Sequence, residues 1–188
     1  SDQNHILLNY FKQLFAQVTN PPLDAIREEL VTSSQSFIGS EQNLFTETPI
    51  HCRQLKLESP IITNEEIDSI RNSKLSGLSA ITLDTVFSVQ TGDGSLKTSL
   101  DKLCEQASQA INDGYSLIIL SDRSVDSNHA PIPSLLATGA IHHHLIREGN
   151  RTKIGIIVES GEPREVQHFA LLIGYGAGAI NPYLALET

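Results

Sequence analysis

The chain contains no methionine, no tryptophan and only two cysteines. Cys52 and Cys104 lie far apart and share no CxxC spacing, which makes them a weak framework for disulfides or a metal. A reducing, cytoplasmic setting is therefore expected. Lysine and arginine form no cluster, and the formal net charge is -9. A phosphate backbone asks for a basic stripe, so nucleic acid is not an expected partner. No apolar run approaches the roughly 20 residues needed to cross a bilayer, so no membrane partner is expected. The opening "SDQNHILLNYFKQ" lacks a basic stretch followed by an apolar one, and does not read as a secretory leader. The ending "INPYLALET" stops just after an apolar run and reads as a cut.

Catalytic signatures are missing as well. There is no GxSxG elbow, no HExxH, and no GxGxxG or GxxxxGK[ST] between a strand and a helix. "GYGAGAI" has the glycines of a phosphate loop but runs from helix into strand, the wrong way round. "GLSAI" and "GDGS" read as turns.

What remains is ordinary globular chemistry. The 188 residues are 39% apolar and 19% charged, enough for one domain with its own core. Residues 1–63 read as a helical and irregular lead-in. "NHILLNYFKQLFAQ" places Leu7, Phe11, Leu14 and Phe15 at helical spacing, and Asp24 offers a cap to a short helix. Residues 35–63 show turns without periodicity. "TNEEIDSIRNSK" is a further helix, capped by Thr63 or Asn64.

From residue 64 to 188 helices and strands alternate. "SAITLDTVF", "YSLIILSDR", "KIGIIVES" and the start of "AGAINPYLA" read as strands. "GSLKTSLDKLCEQASQAINDG", "PIPSLLATGAIHHHLIREG" and "EPREVQHFALLIGYG" read as helices, the last opened by Pro163. "YSLIILSDR" holds a continuous apolar run, Leu117 to Leu120, as a strand buried on both faces must. The alternation predicts an α/β fold of parallel βαβ units, resembling part of a (β/α) barrel. Such folds place function at the carboxyl ends of the strands. Those ends carry Asp84-Thr85, Ser121-Asp122-Arg123, Glu159-Ser160 and Asn181.

The histidine run does not make a metal site. Helical neighbours stand about 100° apart, so His142, His143 and His144 cannot converge on one ion. His144 and Glu148 have i,i+4 spacing, but two ligands are too few. The helix is apolar on two sides. Leu135, Leu136, Gly139, Ala140 and Ile146 gather around His143 on one, and Thr138, Ile141 and Leu145 lie on the other. The first side is expected on the chain's own sheet, with His143 as a core histidine. The second is expected to contact another domain.

Three stretches then become specific. "YFKQLFAQVTNPPLDAIREELVTS", "SDR…IPSLLATGAIHHHLIREG" and "HFALLIGYGAGAINPYLALET" resemble the central domain of the glutamate synthase large subunit across nearly the whole chain. The resemblance implies a parent enzyme that makes L-glutamate from L-glutamine and 2-oxoglutarate. It implies a non-catalytic linker or scaffold, truncated here, joining a glutamine amidotransferase domain to an FMN-binding synthase domain. FMN and an iron–sulfur cluster would belong to the parent, with no cofactor, metal or catalytic residue in this chain. It also implies a wall for an intramolecular ammonia tunnel, for which Ser160 and Ile180 are the candidates and Thr32 a further one. Ser160 as a cap of the helix at Pro163, and Ile180 as plain core, remain open beside that. So does an independent small-molecule or metal-binding α/β protein using the strand-end rim.

Overall fold

The lead-in is more ordered than its sequence suggests in the computed structural model, which describes residues 4–12, 22–90 and 95–188. Leu7–Tyr10 form one 3-10 turn that buries Leu8. Leu14 and Phe15 of the expected helix lie outside the described residues, as do Gly92 and Gly94 of the "GDGS" turn. Helix α1 spans Ala25–Val31 and is capped as expected: the Asp24 carboxylate accepts from the Ile26 and Arg27 N–H groups at 3.1 and 2.9 Å. Strands β1, Ser36–Ile38, and β2, Leu55–Leu57, form an antiparallel pair with Phe37 opposite Lys56. The reading of 35–63 as irregular is thereby corrected. Three-residue strands are too short to leave an alternation that a sequence can display. Ile38 and Leu57 turn inward and are buried.

Helix α2, Asn64–Arg71, starts with a capping box. The Thr63 hydroxyl accepts from the Glu66 N–H, and the Glu66 carboxylate accepts from the Thr63 N–H at 2.7 Å. "SAITLDTVF" divides into β3, Ala80–Asp84, and β4, Val86–Ser88. Then come α3, Ser95–Asn112; β5, Leu117–Ser121; β6, His129–Pro131; and α4, Ser134–Arg147. The chain closes with β7, Gly155–Glu159; α5, Val166–Gly174; β8, Ala179–Asn181; and α6, Tyr183–Glu187. Helix α5 begins after the Pro163 position, and α6 was not read from the sequence.

The main sheet has the order β3-β5-β7-β8, every neighbour parallel. Strands adjacent in sequence order along the sheet, each followed by a helix, form an arc of the kind a (β/α) barrel contains, here left open. Residues beside Ile61 extend the arc. The Ile62 N–H donates to the Ile180 carbonyl, and the Ile180 N–H to that of Pro60. β4 and β6 form a separate antiparallel ribbon. Every residue of β5 and β7 is buried, because α3, α4 and α5 cover one face while α2 and the β1–β2 pair cover the other. No helix among the described residues is long and apolar enough to cross a membrane.

Helix α4 reverses an expectation. Thr138, Ile141 and Leu145 are fully buried, and Ile141 and Leu145 belong to the same core as Ile118, Ile156 and Val158. This stripe packs inside the chain and is not a contact for another domain. His143, expected in the core, is exposed, and Leu136 and Ala140 beside it are half-buried. The helical wheel identifies two apolar faces, but nothing in a wheel says which one meets the sheet. The branched Ile141 and Leu145 fill the sheet side. The small Gly139 sits where Tyr175 approaches, 3.2 Å from the position of an added Cβ.

Candidate functional site at the strand-end rim

The four polar strand ends read from the sequence do form one rim. Asp84, Ser121, Glu159 and Asn181 stand opposite one another in register across β3, β5, β7 and β8. Glu159 is its centre and is 1% exposed. One carboxylate oxygen accepts from Arg71 of α2, the other from Nε of Arg123, each at 2.8 Å. Burial pushes this carboxyl up, and hydrogen bonds from Ser121, Arg123 and Arg71 outweigh that and hold it below its usual range. Arg123 continues to Glu187 of α6 at 3.0 Å and lies over the Tyr183 ring, 4.0 Å from its centroid. Asn64 joins the same lattice by donating to Glu187 and accepting from Asn181. Three elements distant in sequence are thus tied to one buried carboxylate.

Ser160 lies one residue beyond Glu159 and is 1% exposed. Its hydroxyl donates to Asp122 at 2.5 Å and accepts from the Glu162 N–H at 3.1 Å. The Gly161 N–H also reaches Asp122. The Tyr183 phenol completes the ring; burial first, and then its hydrogen bond to Asp122, push it above its ordinary value. Ser160 therefore shapes the loop leading to Glu162 and does not cap α5. Glu162 in turn caps α4. Its carboxylate accepts from the Ser134 N–H at 2.7 Å and from the Ser134 hydroxyl, a task Pro133 cannot perform.

Ile180 is fully buried, opposite Val158 in the parallel register. Ser160 follows the last residue of β7, and its N–H donates to the carbonyl of Asn181, the residue after Ile180, at 3.0 Å. These two candidates lie at the ends of neighbouring strands. Thr32 stands apart: it is exposed at the end of α1, with its hydroxyl donating to the Glu28 carbonyl at 2.6 Å.

The histidines divide. His142 Nδ1 accepts from Nε of Arg151 at 2.9 Å, while the same guanidinium donates to the Ile154 and Gly176 carbonyls. His144 Nε2 meets the Ser108 hydroxyl at 2.9 Å, and that hydroxyl donates to Glu148 at 2.6 Å. Sequence reading missed Ser108, since only the packing of α3 on α4 brings it to His144. The trio is not a nucleophile relay. Glu148 binds the same ring nitrogen as Ser108 and takes the hydroxyl proton that a base would need to accept. Burial, then Asp101, push the Cys104 thiol up, away from reactive thiolate.

Among the described residues no group of three His, Cys, Asp or Glu side chains could hold a metal ion. An iron–sulfur cluster needs several thiolates, and exposed Cys52 and half-buried Cys104 do not supply them. A flavin phosphate needs a cradle of N–H groups or cations, whereas Asp122, Glu159 and Glu162 crowd the strand ends. The residues present fit neither group.

An open parallel arc with its strand ends closed by ion pairs and carboxylate–hydroxyl bonds defines a (β/α)-type α/β domain. Comparison with known proteins gives the particular family. The family described as "Glutamate synthase central domain" matches residues 1–188, and the chain belongs to it. The chain is 50% identical over 188 residues to the glutamate synthase [NADPH] large chain of Bacillus subtilis (strain 168), covering 100% of this chain and 12% of that protein. It is 49% identical over 190 residues to the ferredoxin-dependent glutamate synthase of Pyropia yezoensis, with the same coverage. Against the glutamate synthase [NADH] of Schizosaccharomyces pombe it is 42% identical over 190 residues, 100% of this chain and 9% of that one. The chain spans about an eighth or less of the length of these relatives.

Proposed function

We propose that this chain is the linking scaffold of a glutamate synthase large subunit. It would join a glutamine amidotransferase domain to an FMN-binding synthase domain, in a cytoplasmic enzyme that makes L-glutamate from L-glutamine and 2-oxoglutarate. FMN and the iron–sulfur cluster belong to that parent and lie outside this chain. The scaffold also helps wall the path by which ammonia passes between the two sites. Ser160 and Ile180 are the wall residues, and Thr32 is a separate candidate on the α1 side.

The observation that carries the tunnel reading is the placement of buried Ser160 and Ile180 at the ends of neighbouring strands. Ammonia is small and uncharged, so its path asks for narrow walls and no free acid that would hold it as ammonium. Asp122 lies beside Ser160, but its oxygens are engaged by Ser160, Gly161 and Tyr183 and are not offered to a passing base. The test is Ser160→Phe in the whole enzyme, with Ser160→Ala as the variant that loses the Asp122 bond without adding bulk. Glutamine hydrolysis is expected to continue in Ser160→Phe while glutamate formation from glutamine falls about tenfold, an added barrier of roughly 1.4 kcal/mol, and free ammonia accumulates. Tight coupling in Ser160→Phe would remove Ser160 from the wall.

A further inference from the structure

We infer that helix α1 is a docking surface for another domain of the same polypeptide, an inference that rests on the scaffold reading and gives it a place. Helix α1 has seven residues, and none of them is buried. Isolated helices shorter than about 12–15 residues are marginal in water, and tertiary packing of an apolar face is what normally sustains them. Here the apolar face exists but meets nothing among the described residues. Ile26 is 85% exposed and Leu30 79%, and their i,i+4 spacing puts them on one side. Phe37, on the outward side of β1, is a further exposed apolar side chain, at 61%. The lead-in sends Ile38 and Leu57 inward, so these outward side chains are not a core turned inside out.

The occupant follows from length and charge. The relatives run about eight times longer than the segment they share with this chain, so most of such a polypeptide lies outside it. A second copy of this chain fits poorly. A two-fold contact would set Glu29 and Glu58, which border the surface, against the same groups of the other copy, with Lys56 answering only Glu58. The partner face is therefore apolar, rimmed by basic side chains, and belongs to a flanking domain.

The experiment uses the whole large subunit with a photo-cross-linking residue at Leu30. A cross-link to a peptide of the same polypeptide outside this segment is expected. A link to a second copy, a link within the segment, or no link overturns the proposal. Chemical cross-linking through Lys56, Lys97 and Lys153 of the unsubstituted subunit tests the scaffold reading separately. If these lysines reach flanking domains while Leu30 does not, the scaffold stands and α1 is not its contact. If none does, both fall. Hydrogen exchange supplies the second readout: the amides of α1 are expected to exchange at least tenfold faster in the Ile26→Asp, Leu30→Asp double variant. Exchange at unfolded-chain rates in the unsubstituted subunit would overturn the proposal.

Discussion

Glu159 shows how one buried carboxylate organises a rim. The cost of taking it out of water is offset by two guanidinium groups, both still partly in contact with solvent. Removing the charge reverses that balance, since two cations then converge on a neutral side chain. Glu159→Gln is expected to cost roughly 3 kcal/mol, the low end of the range for a broken buried pair because both arginines can turn toward water. Its pH signature has a definite sign. The folded carboxyl is held below its ordinary value near 4.5, so its contribution is complete above that pH and is lost as pH falls through the folded value. Urea unfolding of both proteins across the acid range checks this. The variant should be weaker at neutral pH, and the difference should shrink on acidification.

At the scale of elements, three parts of the chain meet at Arg151: the His142 ring of α4, the Ile154 carbonyl before β7, and the Gly176 carbonyl of the α5–β8 connection. His142 can accept from Nε of Arg151 only while Nδ1 is unprotonated. Burial, followed by the nearby charges of Arg151 and His143, holds this imidazole below its usual value of 6.5. The unfolded chain therefore takes up the proton first. Stability from this contact is full above about pH 6.5 and is lost as pH falls through that value and the lower folded one. His142→Gln keeps an acceptor for Arg151 without a titrating group, so the stability loss below pH 6.5 should become shallower. An unchanged slope would place the titration elsewhere. Gly176 makes the approach possible: its φ is +115° and a Cβ there would overlap the His142 ring.

Elements also show what a sequence can display. "LIIL" announces β5 because four buried apolar positions in a row leave an unbroken apolar word. Thr63 announces α2 because a capping box is local chemistry. β1, β2 and β6 announce nothing, being three residues long and defined by partners far away in sequence. The rim was legible as four polar strand ends. Its pairing was not, because Arg71, Arg123 and Glu187 find Glu159 and one another only through the fold. The inward side of α4 was illegible for the same reason: two apolar stripes are equivalent until a sheet chooses one.

For the whole molecule the question is whether the lead-in and the βα repeats are one cooperative unit. They meet where Ile38 of the β1–β2 pair presses on the start of β7. Gly155 leaves room for it. A Cβ at Gly155 would overlap Ile38 Cγ2 and come within 2.9 Å of Leu117 and 3.0 Å of the Gly39 backbone nitrogen. Gly178 receives Ile38 from the β8 side, and the Ser36 hydroxyl donates to the Gly178 carbonyl at 3.0 Å. Gly155→Ala should act as overpacking and cost about 1–3 kcal/mol. Ile38→Ala should cost about 2–5 kcal/mol by leaving a cavity. In the double variant the alanine methyl enters space that the isoleucine has vacated, so its cost should fall short of the sum by about 1 kcal/mol or more. Both single variants should still unfold in one transition, with the fluorescence of the four tyrosines reporting the same midpoint as far-ultraviolet circular dichroism. Strict additivity would mean that Ile38 and Gly155 do not share this contact. Two separated transitions would mean that the lead-in folds apart from the sheet it leans on.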